Sequence, residues 1–368
     1  MKHFLACIML AVCLQATKKP AEHSSISPFV PPVQNLFIIT IDGFRWQEVF
    51  TGADSALIND ERVSPDTLTM KMLYWAATPG ERRKRLMPFF WNVLAAKGQV
   101  YGNRYFDNKV NVSNIYSLSY PGYNEMFTGQ ADITIASNDK RNNPNLNVLE
   151  YLESKTSFNG SIVAFTSWNV FPFILNEGRN GILINSGYDN PKDDIKDYEE
   201  QLVEKVQSEA IYDKTDTRQD ELTFITAKQY IKKNHPRVVY LGFGETDETA
   251  HKARYDLYLE KASQVDKMLA ELWHWVQSTP GYKDNTTFII TTDHGRGAKT
   301  SKWNEHGSFI KGSSQTWLAV IGPNIKPRGE IKDDEQIYEK QIAQTIAALL
   351  GENFQANHAV ASAVRLKD

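Results

Sequence analysis

Residues Thr286 to Arg296 read Thr-Thr-Phe-Ile-Ile-Thr-Thr-Asp-His-Gly-Arg, an apolar, β-branched run that stops abruptly on Asp293-His294-Gly295. That is the composition of a strand buried on both faces of a parallel sheet. The carboxyl ends of such strands are where open α/β sheets carry their chemistry. A lone Asp-His-Gly is more often a polar turn than a pair of ligands. Here the ending recurs. The run from Val33 ends on Asp42-Gly43-Phe44-Arg45, and Val238 to Gly244 leads into Glu245-Thr246-Asp247. Three apolar runs that each deliver an aspartate favour the chemical reading.

Helical patterns alternate with these strands. Pro88 to Lys97 has Pro near its first turn and Gly98 behind it, a start and a stop for a helix. Asn145 to Ser154 and Glu221 to Lys232 also read as helices, and Tyr255 to Gln277 repeats apolar residues at helical spacing. Ser161 to Thr166 and Thr316 to Ile321 add two strands, and Ile337 to Leu350 closes the chain as a helix. Ser113 to Gly129 reads as a loop running into a short helix around Pro121 and Gly122. Residues 51 to 85 read as irregular, including the basic run Arg82 to Arg85, a solvated face. Residues 176 to 220 are the least regular and suit an insertion or lid. The alternation predicts an α/β fold on a largely parallel sheet, one catalytic domain over residues 30–368.

The chain has 368 residues, is 41% hydrophobic and carries a formal net charge of -3. It can bury a large core, and it has no electrostatic case for binding nucleic acid. Met1 to Ala16 combines a short basic start with an apolar run too short to span a bilayer. Residues 1–22 therefore read as a secretory signal peptide and linker, and the protein as periplasmic or secreted, without a transmembrane span. Both cysteines, Cys7 and Cys13, fall in that segment, so cleavage after Cys13 leaves no thiol for disulfides or metal ligation. Leu10-Ala11-Val12-Cys13 loosely resembles a lipoprotein box, but Val12 is bulky where a small residue is expected.

Histidines are few. His23 lies in the linker, His235 in a turn before Pro236, His274 between two tryptophans and His358 near the C-terminus. His251, four residues after Asp247, His294 and His306 remain as the natural ligands. With Asp42, Asp247 and Asp293 they supply six N and O donors, enough for two divalent ions, most plausibly zinc. Two ions a few ångströms apart suit in-line displacement at phosphorus.

Asp42-Gly-Phe-Arg45, Ser119-Tyr-Pro121, Asp247-x-x-x-His251, Asp293-His-Gly295 and His306-Gly307, in that order, resemble the alkaline phosphatase superfamily. The branch they most resemble is the type I phosphodiesterase/nucleotide pyrophosphatase group, from about Val33 to Pro327. The resemblance implies a three-layer sandwich. It implies that Asp247, His251 and His306 hold one metal and that Asp42, Asp293 and His294 hold the other. It makes Ser119 the nucleophile and a metal ligand, with Ser117 the residue a two-position shift would select. Asn124 is the amide implied as a phosphoryl contact, and Arg45 is a further candidate for binding the anion.

Two departures narrow the chemistry. Tyr123 stands where a sulfatase needs Arg, and Ser167 to Pro172 lacks the Lys-x-Arg pair with which related monoesterases grip a dianion. The aromatic residues there suit a diester. The expected activity is a two-metal hydrolysis of small phosphate esters, with phosphodiesterase character, through a phosphoserine. A phosphomonoesterase, a phosphonate-cleaving or phosphomutase-like relative, and a non-catalytic phospho-ligand-binding protein are the alternatives.

Overall fold

The structure is a computed structural model, and it describes residues 32–190 and 198–368. The expected signal peptide, Cys7, Cys13 and His23 lie outside the described residues. No helix among the described residues is long and apolar enough to cross a membrane.

The strands are β1 (Asn35–Ile41), β2 (Gln99–Tyr101), β3 (Asn108–Asn111), β4 (Ile162–Thr166), β5 (Leu183–Ser186), β6 (Val238–Phe243), β7 (Thr286–Thr291), β8 (Gln315–Thr316), β9 (Leu318–Ile321), β10 (Gly329–Glu330) and β11 (Glu335–Tyr338). Eight form the central sheet in the order β10-β2-β9-β7-β1-β6-β4-β5, and a smaller sheet runs β11-β3-β8. From β7 to β5 every pairing is parallel, while β9 runs antiparallel to both of its neighbours.

Period-two alternation divides the core between the two faces of the sheet. Phe37, Ile39 and Ile41 of β1 pack into one apolar cluster, and Leu36 and Ile38 into the other. The helix Tyr255–Ser278 covers the first face, and Ile342–Leu349 and Ser119–Thr128 cover the second. Tyr255–Ser278 has no internal Gly or Pro and stops before Pro280-Gly281. Leu259, Ala262, Val265, Leu269, Leu272 and Val276 line its buried stripe. Each large apolar side chain there contributes roughly 1.5–3 kcal/mol, and Leu269→Ala should cost about 2–5 kcal/mol.

Two stretches differ from the sequence reading. Residues 51–85 contain the helices Thr67–Tyr74 and Pro79–Leu86, the second opened by a reciprocal capping box between Thr78 and Glu81 with Pro79 in its first turn. Arg82 and Arg83 of the basic run stack on Trp75 and Trp91, and Arg83 also pairs with Glu330. The closing helix begins at Ile342 rather than Ile337. Glu335–Tyr338 is strand β11, where Ile337 is buried between exposed Gln336 and Tyr338. Within 176–220, Leu183–Ser186 is the edge strand β5 and Tyr198–Lys205 a helix.

Candidate functional site

β7, β1 and β6 are neighbours and run parallel, so their carboxyl ends lie at one edge of the sheet. Asp42 directly follows β1, Asp293 follows β7, and Asp247 lies in the helix Glu245–His251 that begins behind β6. This adjacency turns the three aspartates of the sequence into one cluster. Asp42 and Asp293 are buried, as is His294.

In each carboxylate one oxygen is held by the protein. Asp42 Oδ2 accepts from the Tyr123 hydroxyl at 3.0 Å. Asp293 Oδ1 accepts from the Gly43 N–H at 3.0 Å. Asp247 Oδ1 is clamped by the Arg296 guanidinium. The second oxygens of the first two, Asp42 Oδ1 and Asp293 Oδ2, are buried without a hydrogen-bond donor. They face His294 Nε2 at 3.6 Å and 3.4 Å. Gly43 can hold Asp293 only because it adopts φ +58°, and a Cβ there would sit 2.6 Å from Asp247 Oδ1.

The imidazoles are oriented in the same sense. His294 Nδ1 donates to the Gly295 carbonyl at 2.9 Å, and His306 Nδ1 to the Ser117 carbonyl at 3.0 Å. Each therefore turns the lone pair of Nε2 inward, the tautomer a metal ligand needs. Their rings stack at 3.9 Å. His251 Nε2 lies 3.0 Å from Asp247 Oδ2 and 3.1 Å from His306 Nε2.

The electrostatics express the crowding. Burial first, then the Asp293 charge, pushes Asp42 up to about 8. Burial pushes Asp293 up to about 7, and it holds His294 and His306 below the usual imidazole range. Orphaned carboxylate oxygens aimed at imidazole lone pairs are a donor set that fits divalent cations. Asp42, Asp293 and His294 form one such group and Asp247, His294 and His306 another. His294 thus lies between the two groups, and His251 closes the second from its half-exposed side.

Ser119 is the first residue of the helix Ser119–Thr128, and its Oγ lies 3.2 Å from His294 Nε2. The helix approaches the end of β7 so closely that a Cβ at Gly122 would be 2.3 Å from the Asp293 carbonyl oxygen. The sequence Ser-Tyr-Pro-Gly thus lets a helix start against the cluster. Ser117 has φ +47° and contributes its carbonyl to His306.

The side chains of the two expected anion contacts, Arg45 and Asn124, make their hydrogen bonds within the protein. Arg45 is buried against Glu48, with its Nη1 on the Gly297 carbonyl. Asn124 accepts from the side chains of Asn143 and Asn145 and donates to the Gln130 carbonyl. The cleft over Asp42, Ser119, Asp247 and His251 is lined instead by Asn138, Trp168, Thr217 and Glu248. Trp168 comes from the aromatic stretch already singled out. Asn138 lies in a polar loop without a periodic signal. Arg296 could have been read from its place two residues beyond His294, where a buried cation balances the acids.

Comparison with known proteins agrees with this architecture. The fold matches the alkaline phosphatase PafA with a TM-score of 0.60 at 11% identity, covering 91% of this chain and 98% of that one. It matches the lipoteichoic acid synthase LtaP from Listeria monocytogenes at 0.56 and 13% identity, over 89% and 74% of the two chains. The phosphonate monoester hydrolase of Agrobacterium radiobacter follows at 0.52 and 13% identity, over 86% and 74%. No curated protein sequence matches. The family model for type I phosphodiesterase/nucleotide pyrophosphatase matches residues 95–367, a span that includes Ser119, Asp247, His251, Asp293, His294 and His306. On that match the chain belongs to the type I phosphodiesterase/nucleotide pyrophosphatase family.

Proposed function

We propose that this protein is an exported hydrolase of phosphodiesters that uses two divalent cations, zinc by the chemistry of the donor set, and Ser119 as its nucleophile. The observation that carries the reading is the pair of buried, donorless oxygens on Asp42 and Asp293 facing the His294 lone pair beside the Ser119 hydroxyl. Asp42, Asp293 and His294 would hold one cation, and Asp247, His251 and His306 the other. When bound, the cations would acidify the serine hydroxyl and neutralise charge on the phosphoryl group and the departing alkoxide.

The side chains then have separate tasks. Ser119 Oγ attacks phosphorus opposite the leaving alcohol. The Ser119 O–P bond forms as the P–O bond to that alcohol breaks, and the alkoxide takes up a proton. Water then attacks the same phosphorus, which releases a phosphate monoester and restores Ser119. Asn138 lines the cleft and accepts from the Tyr120 N–H through Oδ1, which leaves its NH2 group as the donor for a phosphoryl oxygen. Trp168 offers an apolar wall to the second ester group. Among the described residues the cleft lining includes Glu248 and no Lys or Arg, a balance that suits a singly charged diester over a dianionic monoester.

Initial rates on nitrophenyl diester, monoester and sulfate, measured with metal content, test this. The diester should be fastest and the sulfate slowest, with close to two ions per chain. A preference for the sulfate, or full activity in metal-free protein, would contradict it.

A further inference from the structure

Glu125 lies on the same helix as Ser119 and is fully buried, yet it touches none of the cluster. Its carboxylate collects donors from the incoming loop. Ser113 N–H donates to Oε1 at 2.7 Å and Oε2 at 2.9 Å, and Ser113 Oγ donates to Oε1 at 2.7 Å. Asn114 donates to Oε2 from its backbone at 2.8 Å and from Nδ2 at 3.0 Å. The Lys340 N–H approaches Oε1 at 3.3 Å. Both oxygens are saturated by N–H and O–H donors.

The chain of contacts continues toward the site. With Asn114 fixed, its Oδ1 accepts from Tyr116 N at 3.1 Å and Ser117 N at 2.8 Å. That turn holds Ser117 at φ +47°, a conformation costly for a serine without outside support. The strained residue then presents its carbonyl to His306 Nδ1 at 3.0 Å. Two residues later the chain enters the helix at Ser119.

We infer that Glu125 is a positioning residue. It ties the 113–118 loop to the nucleophile's own helix, so that Ser119 and the Nε2 lone pair of His306 are set against one another. The inference rests on the proposed function, in which His306 is a metal ligand, and assigns its orientation to a carboxylate outside the site. A glutamine keeps the shape but replaces one acceptor by an NH2 group that faces backbone N–H donors. Ser113 and Asn114 cannot rotate those donors away without moving the loop.

The test is zinc binding by competition with a chromophoric chelator, on wild type, Glu125→Gln, His306→Ala and the double variant. Glu125→Gln should weaken the His306-dependent step about 10- to 100-fold, the usual loss when an outer partner of a ligand is removed. The step that depends on Asp42, Asp293 and His294 should be unchanged, and Glu125→Gln should cost nothing further in the His306→Ala background. Asn114→Ala removes the next link and should act in the same direction, which keeps the test available if Glu125→Gln folds poorly. Both steps unchanged, or both weakened equally, would overturn the inference. If His306→Ala itself binds zinc as wild type does, the proposed function fails and the inference with it.

Discussion

His251 and His306 meet nitrogen to nitrogen, their Nε2 atoms 3.1 Å apart. His306 spends its Nδ1 proton on the Ser117 carbonyl, so its Nε2 presents a lone pair to the other ring. His251 is half exposed, whereas the side chain of His294 is fully buried. His251→Ala should therefore release one of two ions and leave the deeper one in place. Metal analysis after dialysis reads the outcome, and loss of both ions together would contradict two separable sites.

Arg296 clamps Asp247 Oδ1 and also donates to the Gly43 carbonyl at 3.1 Å and the Asn304 carbonyl at 2.6 Å. A lysine keeps the charge but cannot span all three acceptors. Arg296→Lys should lower metal affinity about 10- to 100-fold. Chelator titration checks this, and an unchanged affinity would show that Asp247 needs no clamp.

The pH dependence of the metal-free protein follows from Asp42 and Asp293, pushed up to about 8 and about 7, above all by burial. An unfolded aspartate titrates near about 3.9. The folded state therefore keeps these protons after the unfolded chain has released them. Their stabilising contribution is complete below about pH 4 and is lost as pH rises through 7 to 8. Chelator-treated protein should melt at a lower temperature at pH 8 than at pH 5. Added zinc should remove most of that difference, because the cation replaces the protons. A melting temperature that rises with pH in the metal-free protein would contradict the assignment.

The sequence made the cluster legible because β-branched runs ending on Asp leave few alternatives, and the parallel order β7-β1-β6 supplied the adjacency. It was less informative where function depends on what a side chain faces. Arg45 and Asp42 lie in the same motif, yet Arg45 turns into the core to meet Glu48. Asn124 lies on the same helix as Ser119 but belongs to an amide network with Asn143 and Asn145. Asn138, which lines the cleft, sits in a loop whose path is set by tertiary contacts. The helix Pro79–Leu86 is hard to read from sequence for a local reason. Its capping box was present, but the polar residues that follow carry no apolar period.

Ser119→Ala should reduce the rate by about 10³-fold or more and leave metal content unchanged, since the six other proposed ligands remain. Ser119→Thr should retain part of the activity. Ser117→Ala should stay near wild type, because Ser117 acts through its carbonyl, which an alanine also supplies. A dead Ser117→Ala beside an active Ser119→Ala would move the nucleophile by two residues.

The central claim is that Ser119 attacks phosphorus and water attacks afterwards. Each displacement inverts the phosphorus centre, so two in succession retain it. Hydrolysis of a phosphorothioate diester of known configuration in ¹⁸O-labelled water measures this directly. The account predicts net retention in the labelled monoester product. Net inversion would mean that water attacks in a single step and that Ser119 is not the nucleophile.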